Sequence, residues 1–213
     1  MLPDYLTHDH LTEVLEHAIE EDVGPGDVTT LATVPPDQPA TAVIRAKEAG
    51  VVAGLEAAAC AFAVTDRALE VSWNVADGTA VESGQEIGTI AGPAQGMLTA
   101  ERPALNLMQR MSGIATATHR MVDAARPHGT EILDTRKTAP GLRRLDKWAV
   151  RLGGGTNHRI GLYDLFLIKD NHIAAAGGVA PALDAAQTYR AEHAPDLAIE
   201  IETRTLGEVR TAA

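Results

Sequence analysis

Apolar residues Leu11, Val14, Leu15, Ala18 and Ile19 recur at intervals of three and four near the start of the chain. That spacing predicts an amphipathic helix over about residues 8–20. A turn-rich stretch, EDVGPGDVTT, follows, and the pattern then shortens into strand-like pieces: TAVIRAKEAG, GVVAGL, LEVSWNV and QEIGTIAG. DGTAVESGQEIGTI, with Gly78, Gly84 and Gly88, reads as hairpins with glycine at the turns. Leu105, Met108, Met111, Ala115, Met121 and Val122 then predict a long helix reaching about Arg126. Thr99 is its expected N-cap and Pro103 an early helical position, where a missing N–H costs little. Beyond it strands and helices alternate: EILDT, helical LRRLDKWAVRLGG, LFLIKD, helical VAPALDAAQTYRAEH, AIEIE, and a helix start at LGEVRTAA. Alternation of that kind predicts parallel strands with helical crossovers, hence an α/β barrel or a doubly wound sheet.

Both architectures gather their chemistry at strand C-termini. Those ends carry Asp134-Thr135-Arg136-Lys137, then Lys169-Asp170-Asn171-His172, then Glu200 and Glu202. The parallel strands number three, whereas a closed barrel needs roughly eight strands and about 250 residues. Three strands leave an open edge and an apolar face meeting water. The barrel is expected to be incomplete, the functional protein to continue past Ala213, and these residues alone to be insoluble or inactive.

Charge sharpens this picture. The chain carries 18 Lys and Arg against 29 Asp and Glu, a formal net charge of −11. From Arg136 to Lys169, however, lie eight of the basic residues and only two acids, Asp146 and Asp164, a local balance of +6. An acidic protein that concentrates cation in one segment is building a pocket for an anion, because clustered charge focuses potential onto a cleft. Arg143, Arg144, Lys147 and Arg151 read equally well as a solvated basic helix face. Arg136, Lys137, Arg159 and Lys169 do not, since each ends an apolar run or lies beside glycines.

Composition excludes several classes. A 45 % hydrophobic fraction is that of a folded globular chain. Net acidity without a basic and aromatic surface pattern argues against nucleic-acid binding. Apolar runs broken by Gly or charge fall short of a membrane span, and MLPDYLTHDH lacks the features of a signal peptide. Cys60, the single cysteine, permits no internal disulfide and suits a cytoplasmic protein; in AAACAF it is expected to be a small buried hydrophobe. No His, Cys and carboxylate spacing gives a zinc site, and His8, His10 and His17 sit on an acidic, solvated helix. The glycine run Gly153-Gly154-Gly155 does not open a helix after a strand as a dinucleotide fingerprint must. The glycine-rich strands also resemble the hammerhead of lipoyl or biotinyl carriers, but no lysine lies between Lys47 and Lys137 to be modified.

Four motifs in order carry a more specific resemblance. EDVGPGDVTT, TRKT, the segment Gly154-Gly155-Thr156-Asn157-His158-Arg159, and FLIKDNH together resemble the quinolinate phosphoribosyltransferases, over nearly the whole span from Glu21 to Glu202. The resemblance implies a type II phosphoribosyltransferase-like α/β fold, with an N-terminal α/β sandwich domain over residues 1–111 and a partial α/β-barrel catalytic domain over 112–213, and it implies a reaction. Quinolinate attacks C1 of phosphoribosyl pyrophosphate through its ring nitrogen, pyrophosphate leaves, and loss of carbon dioxide gives nicotinate mononucleotide. It further implies Mg2+ with the pyrophosphate, and a homodimer or higher oligomer with shared sites. Carried over residue by residue, Arg136, His158 and Arg159, with Lys169, form the quinolinate pocket, Thr135 is substrate-binding, and Lys137 meets phosphate oxygens. Glu202 lies on the ribose and metal side, with Glu200 the weaker candidate, and Arg102 in ERPALN reaches the neighbouring subunit's site. Lys137, Lys169 and Glu202 are the expected catalytic groups. The family's later acidic strand end and phosphate-holding glycine loops have no counterpart here.

Three other readings remain at this point. A molybdenum-linked branch of the family would differ in the pocket cations, yet Arg136, His158, Arg159 and Lys169 are all present. A Schiff-base aldolase would use Lys169 as nucleophile in a desolvated site, against the surrounding cations. A noncatalytic truncated paralogue rests on the missing strands alone.

Overall fold

Thr7 starts the first helix in the computed structural model, which describes residues 2–213. Its side chain accepts from His10 N at the head of α1, His8–Val23, and Gly24, at φ +51°, ends it. Leu11 and Leu15 are fully buried, as the apolar spacing predicts. Asp27, in the GPGDVTT turn, caps the short α2, Val28–Thr33, by accepting from Thr30 N.

The chain forms two compact units, one ending at His158 and the other running from Arg159 to Ala213. In the first, β1 (Pro39–Arg45), β3 (Glu70–Trp73) and β5 (Glu86–Pro93) make an antiparallel sheet with β5 in the centre. Two-residue strands β2 (Gly50–Val51) and β4 (Ala80–Val81) pair antiparallel with each other. This corrects the local-hairpin expectation for DGTAVESGQEIGTI, because β4 and β5 pair with distant strands and not with one another. Gly78 and Gly84 do sit at turns, at φ +86° and +82°. Gly88 instead lies within β5 under an indole: a Cβ there would fall 2.4 Å from Trp73 Cε3.

α3 (Leu55–Thr65) and α4 (Ala94–Ala125) hold the core, with Ala57, Ala58, Ala61 and Phe62 packed in the same cluster as Ala100, Ala104, Met108 and Met111. Small residues at the crossing allow close approach. Polar side chains of α4 then serve the backbone opposite: Ser112 Oγ accepts from Ala53 N at 2.9 Å, and Thr116 Oγ1 from Val51 N at 2.9 Å. Gly54, before α3, offers no side-chain cap, and Asp77 takes that role across 22 residues by accepting from Leu55 N. Burial pushes the Asp77 carboxyl above its ordinary range, against the opposing effect of those backbone donors.

The long helix starts earlier than expected. Thr99 lies inside α4 and its hydroxyl donates to Asp27 Oδ2 at 3.3 Å, so it is no N-cap. Pro103 is interior and buried, where proline forgoes a helix hydrogen bond. Met121, counted on the apolar face, is 58 % exposed. A 3₁₀ turn, Arg126–His128, leads to EILDT, which makes a single parallel bridge, Leu133 to Thr156, in place of a full strand. α5, Arg143–Leu152, closes the unit with Leu145, Trp148 and Ala149 buried.

The second unit contains β6 (Phe166–Ile168) and β7 (Ile199–Ile201), paired in parallel and linked through α6 (Asp170–Ala176) and α7 (Val179–His193). α8, Leu206–Ala212, follows with Thr205 and Glu208 in a reciprocal capping box. The parallel pair with helical crossover matches the predicted alternation. The α6 turn was not expected; there Lys169 N donates to His172 Nδ1 across the first turn.

Candidate functional site

In the first unit the TRKT segment leaves the end of EILD and is held by α5. Arg110, on α4, binds Asp146 with both ends of its guanidinium, Nε to Oδ1 at 2.7 Å and Nη2 to Oδ2 at 2.8 Å. A bidentate pair fixes orientation as well as charge, and the carboxylate raises the arginine's pKa above its ordinary value. Asp146 Oδ2 also accepts from Ala139 N, and Arg143 Nε donates to Thr138 Oγ1 at 3.2 Å. The loop 134–139 is thus suspended from one helix at several points.

Within that loop Thr135 Oγ1 accepts from Lys137 N at 3.1 Å, and Lys137 is exposed. Arg136 is half-buried, and its Nε is hidden from solvent with no hydrogen-bond partner among the described residues. A buried guanidinium donor without an acceptor is costly in isolation and suits an incoming anion. Asp134 joins this loop to the next candidate: its Oδ1 accepts from His158 N at 2.9 Å. Thr135, Arg136, Lys137 and His158 are therefore brought to neighbouring backbone positions. Arg102 is exposed on α4, two turns before Arg110.

Lys147 needs correction. The pattern suited a solvated face as well as a functional one, but Lys147 is fully buried, with its Nζ on Asp134 Oδ1 and on His158 O. Arg110 and Asn157 were also missed as structural partners of the site. An acid closing the apolar run EILD was the available signal, since such a group needs a cation inside the fold.

The glycine run has a packing role. A Cβ on Gly153 would fall 2.4 Å from Ala115 O, and one on Gly155 2.8 Å from Thr118 Cγ2. Only glycine lets the end of α5 close onto α4 and deliver Asn157 and His158 to Asp134.

In the second unit Arg159 is only 9 % exposed, and its Nη1 donates to Leu165 O at 3.2 Å. Asp164 closes that loop by accepting from Ile160 N and Gly161 N. Lys169 and Glu202, at the C-terminal ends of β6 and β7, form an ion pair with Nζ to Oε1 at 2.8 Å. Their side chains are about half exposed, which leaves polar atoms of both open to a ligand. Glu202 N also donates to Ile168 O, extending the ladder. Glu200 is exposed on β7. Among the described residues no three His, Cys, Asp or Glu side chains form a metal cluster. A cleft of about 490 Å³ beside Lys47, Leu105, Gln109 and Arg120 contains none of the candidate residues. No helix of the described residues is long and apolar enough to cross a membrane.

Residues 27–112 match the model of the quinolinate phosphoribosyl transferase N-terminal domain, and residues 114–213 that of its C-terminal domain. A Nicotiana glauca protein named quinolinate phosphoribosyltransferase (decarboxylating) 2, mitochondrial, is 52 % identical over 209 residues, 98 % of this chain and 59 % of that protein. A Mycobacterium leprae nicotinate-nucleotide pyrophosphorylase (carboxylating) is 45 % identical, with 94 % of this chain and 70 % of the relative covered. Among solved structures, the nicotinate-nucleotide pyrophosphorylase from Francisella tularensis superposes with a TM-score of 0.90 at 36 % identity, over 97 % of this chain and 72 % of that one. The chain spans about three-fifths of the length of the plant relative. Ordered motifs, mixed α/β architecture and matches to both domain models agree: the chain belongs to the quinolinate phosphoribosyltransferase family.

Proposed function

We propose that this protein transfers the phosphoribosyl group of phosphoribosyl pyrophosphate to quinolinate with decarboxylation, giving nicotinate mononucleotide, pyrophosphate and carbon dioxide. The observation that carries the reading is the buried Nε of Arg136, without a hydrogen-bond partner among the described residues, in a segment of net charge +6. The names of the relatives support the same chemistry. In this reading residues 1–111 form the N-terminal α/β sandwich domain, and residues from 112 on belong to the barrel domain.

Arg136 with His158 binds the adjacent carboxylates of quinolinate, and the family resemblance carries Arg159 and Lys169 into the same role and Thr135 into substrate binding. Guanidinium forks orient the ring as well as neutralising it. Lys137, exposed beside them, meets phosphate oxygens. As C1 of the ribose loses pyrophosphate it gains oxocarbenium character, and the Glu202 carboxylate stabilises that charge. Lys169 holds Glu202 in place for this role. The ring-nitrogen lone pair forms the new bond to C1, and the C1–oxygen electrons leave with pyrophosphate. The ribosylated nitrogen is then positive and takes up the electron density left when the adjacent carboxylate departs, until a proton replaces it at carbon.

Magnesium, when bound, would neutralise charge on the leaving pyrophosphate, and Glu202, at the C-terminal end of β7 with its side chain about half exposed, is the carboxylate that would lie beside it. Arg102, exposed on α4, completes the site of a neighbouring subunit in a homodimer or larger oligomer. The single thiol, Cys60, accords with a cytoplasmic setting.

The test is isotopic. Purified enzyme given phosphoribosyl pyrophosphate, magnesium and quinolinate labelled in the carboxyl next to nitrogen releases labelled carbon dioxide in step with nicotinate mononucleotide. Turnover of nicotinate in its place, or no turnover of either acid, overturns the proposal.

A further inference from the structure

Asp134 ends an apolar run at the entrance to the TRKT segment, where a substrate-facing carboxylate would be the first expectation. Both of its oxygens are instead engaged by the protein. Oδ1 accepts from Lys147 Nζ at 2.5 Å and from His158 N at 2.9 Å; Oδ2 accepts from Asn157 Nδ2 at 2.7 Å. Lys147 Nζ makes a second bond to His158 O at 3.1 Å. The two charged side chains, 1 % and 7 % exposed, therefore grip both backbone polar groups of one residue, the N–H and the C=O of His158. Asn157 locks the arrangement from outside: its Nδ2 also donates to Lys147 O at 2.8 Å, and its Oδ1 accepts from Tyr5 OH at 2.8 Å.

A buried ion pair gives little net stability against apolar side chains of the same size, because desolvation offsets the attraction. What it supplies is geometry, since any displacement leaves a charge or a peptide group unpaired in the interior. This pair is also formally neutral as a unit, so its effect on an anion pocket comes through placement.

We propose that Lys147 and Asp134 are positioning residues: a buried clamp on the peptide groups of His158 that also anchors Thr135 and Arg136 by chain adjacency. It presents His158 and Arg136 to the substrate dicarboxylate at a fixed spacing. The inference rests on the phosphoribosyl-transfer reading of the same site. It assigns Asp134 no contact with substrate, although it stands where a catalytic acid would.

The experiment compares wild type with Lys147→Met and with the double variant Asp134→Asn/Lys147→Met, which removes the charges together and keeps the volume. The clamp predicts that KM for quinolinate rises at least tenfold in both, while KM for phosphoribosyl pyrophosphate changes less than twofold. It further predicts that the double variant regains thermal stability without regaining KM, because the His158 carbonyl still lacks its donor. A merely structural pair would lower the active fraction, so turnover would fall with both KM values unchanged; that result, or KM returning together with stability, overturns the proposal. Should Lys147→Met fail to fold, the double variant decides alone. Amide exchange of the 156–158 segment, expected at least tenfold faster in the double variant, is read independently of turnover; unchanged exchange also overturns the clamp. Wild-type enzyme inert toward quinolinate would sink the transfer reading, and the exchange measurement would still decide the clamp.

Discussion

Tyr5 lies at the outer end of the Asp134 network, and its hydroxyl shows how far that network reaches. Burial, with the nearby Asp134 charge, pushes its pKa up to about 12, against the opposing pull of Arg151. The unfolded chain loses the same proton near the ordinary value of 10.0. Between these two values the folded protein binds the proton and the unfolded one does not. Stability from this group is therefore complete below pH 10 and is lost as pH rises toward 12. Tyr5→Phe removes the bond to Asn157 Oδ1 and should cost about 1 kcal/mol at neutral pH. Denaturant titrations from pH 8 to 12 should show a shallower alkaline loss in the variant; an identical slope would mean that another group carries it. Arg136 illustrates a different lesson at this scale. TRKT pointed to its chemistry, but that its Nε would be buried without a partner among the described residues follows only from the folding of the loop.

At the scale of elements, the glycine run after α5 decides how the site is delivered. Gly153 has ordinary helical φ, so its requirement is space alone. Gly153→Ala would drive a Cβ against Ala115 O and Thr118, and overpacking of this kind costs about 2 kcal/mol. We expect Tm to fall by about 6 °C for a chain of this size, with a raised KM for quinolinate because His158 follows five residues later. Gly113→Ala is the control: in α4 its Cβ would meet nothing within 4 Å, so helix propensity should leave stability equal or about 0.5 kcal/mol higher. Calorimetry on the two variants separates packing from propensity, and equal losses would refute the close-approach argument. The run was legible in the sequence as something other than a dinucleotide loop. Its real role was not, because the helix it packs against lies some forty residues earlier.

At the scale of the whole molecule, the proposed sharing of sites between subunits can be tested without a new structure. Arg102 is exposed on α4, whereas Lys169 ends β6 in the second unit. If Arg102 completes a neighbour's site, inactive Arg102→Ala chains mixed with inactive Lys169→Ala chains should regain activity, because one site of each mixed dimer is whole. Random exchange predicts about a quarter of wild-type turnover per dimer site, the proportion expected when half the dimers are mixed and each holds one intact site of two. No recovery after demonstrated exchange would place both residues in one chain's site.

The sequence by itself determined the helix at His8–Val23, the change from short antiparallel strands to strand–helix alternation, and the family, through four ordered motifs. These are local properties: an apolar period or a motif reports which way successive side chains must face and which chemistry lies beside them. Tertiary structure alone decided the rest. β4 pairs with β2 and not with its neighbour β5, because ladder partners are chosen by how distant segments pack. EILDT stops at one bridge, since a strand exists only where another strand runs beside it. Lys147 and Arg143 look alike in a basic helix, yet Lys147 is enclosed by Asp134 and His158 while Arg143 serves Thr138. Whether a cation faces water or the interior depends on a carboxylate that sequence spacing does not place beside it. Charge can be counted along a chain, but its desolvation and its partners exist only once the chain has folded.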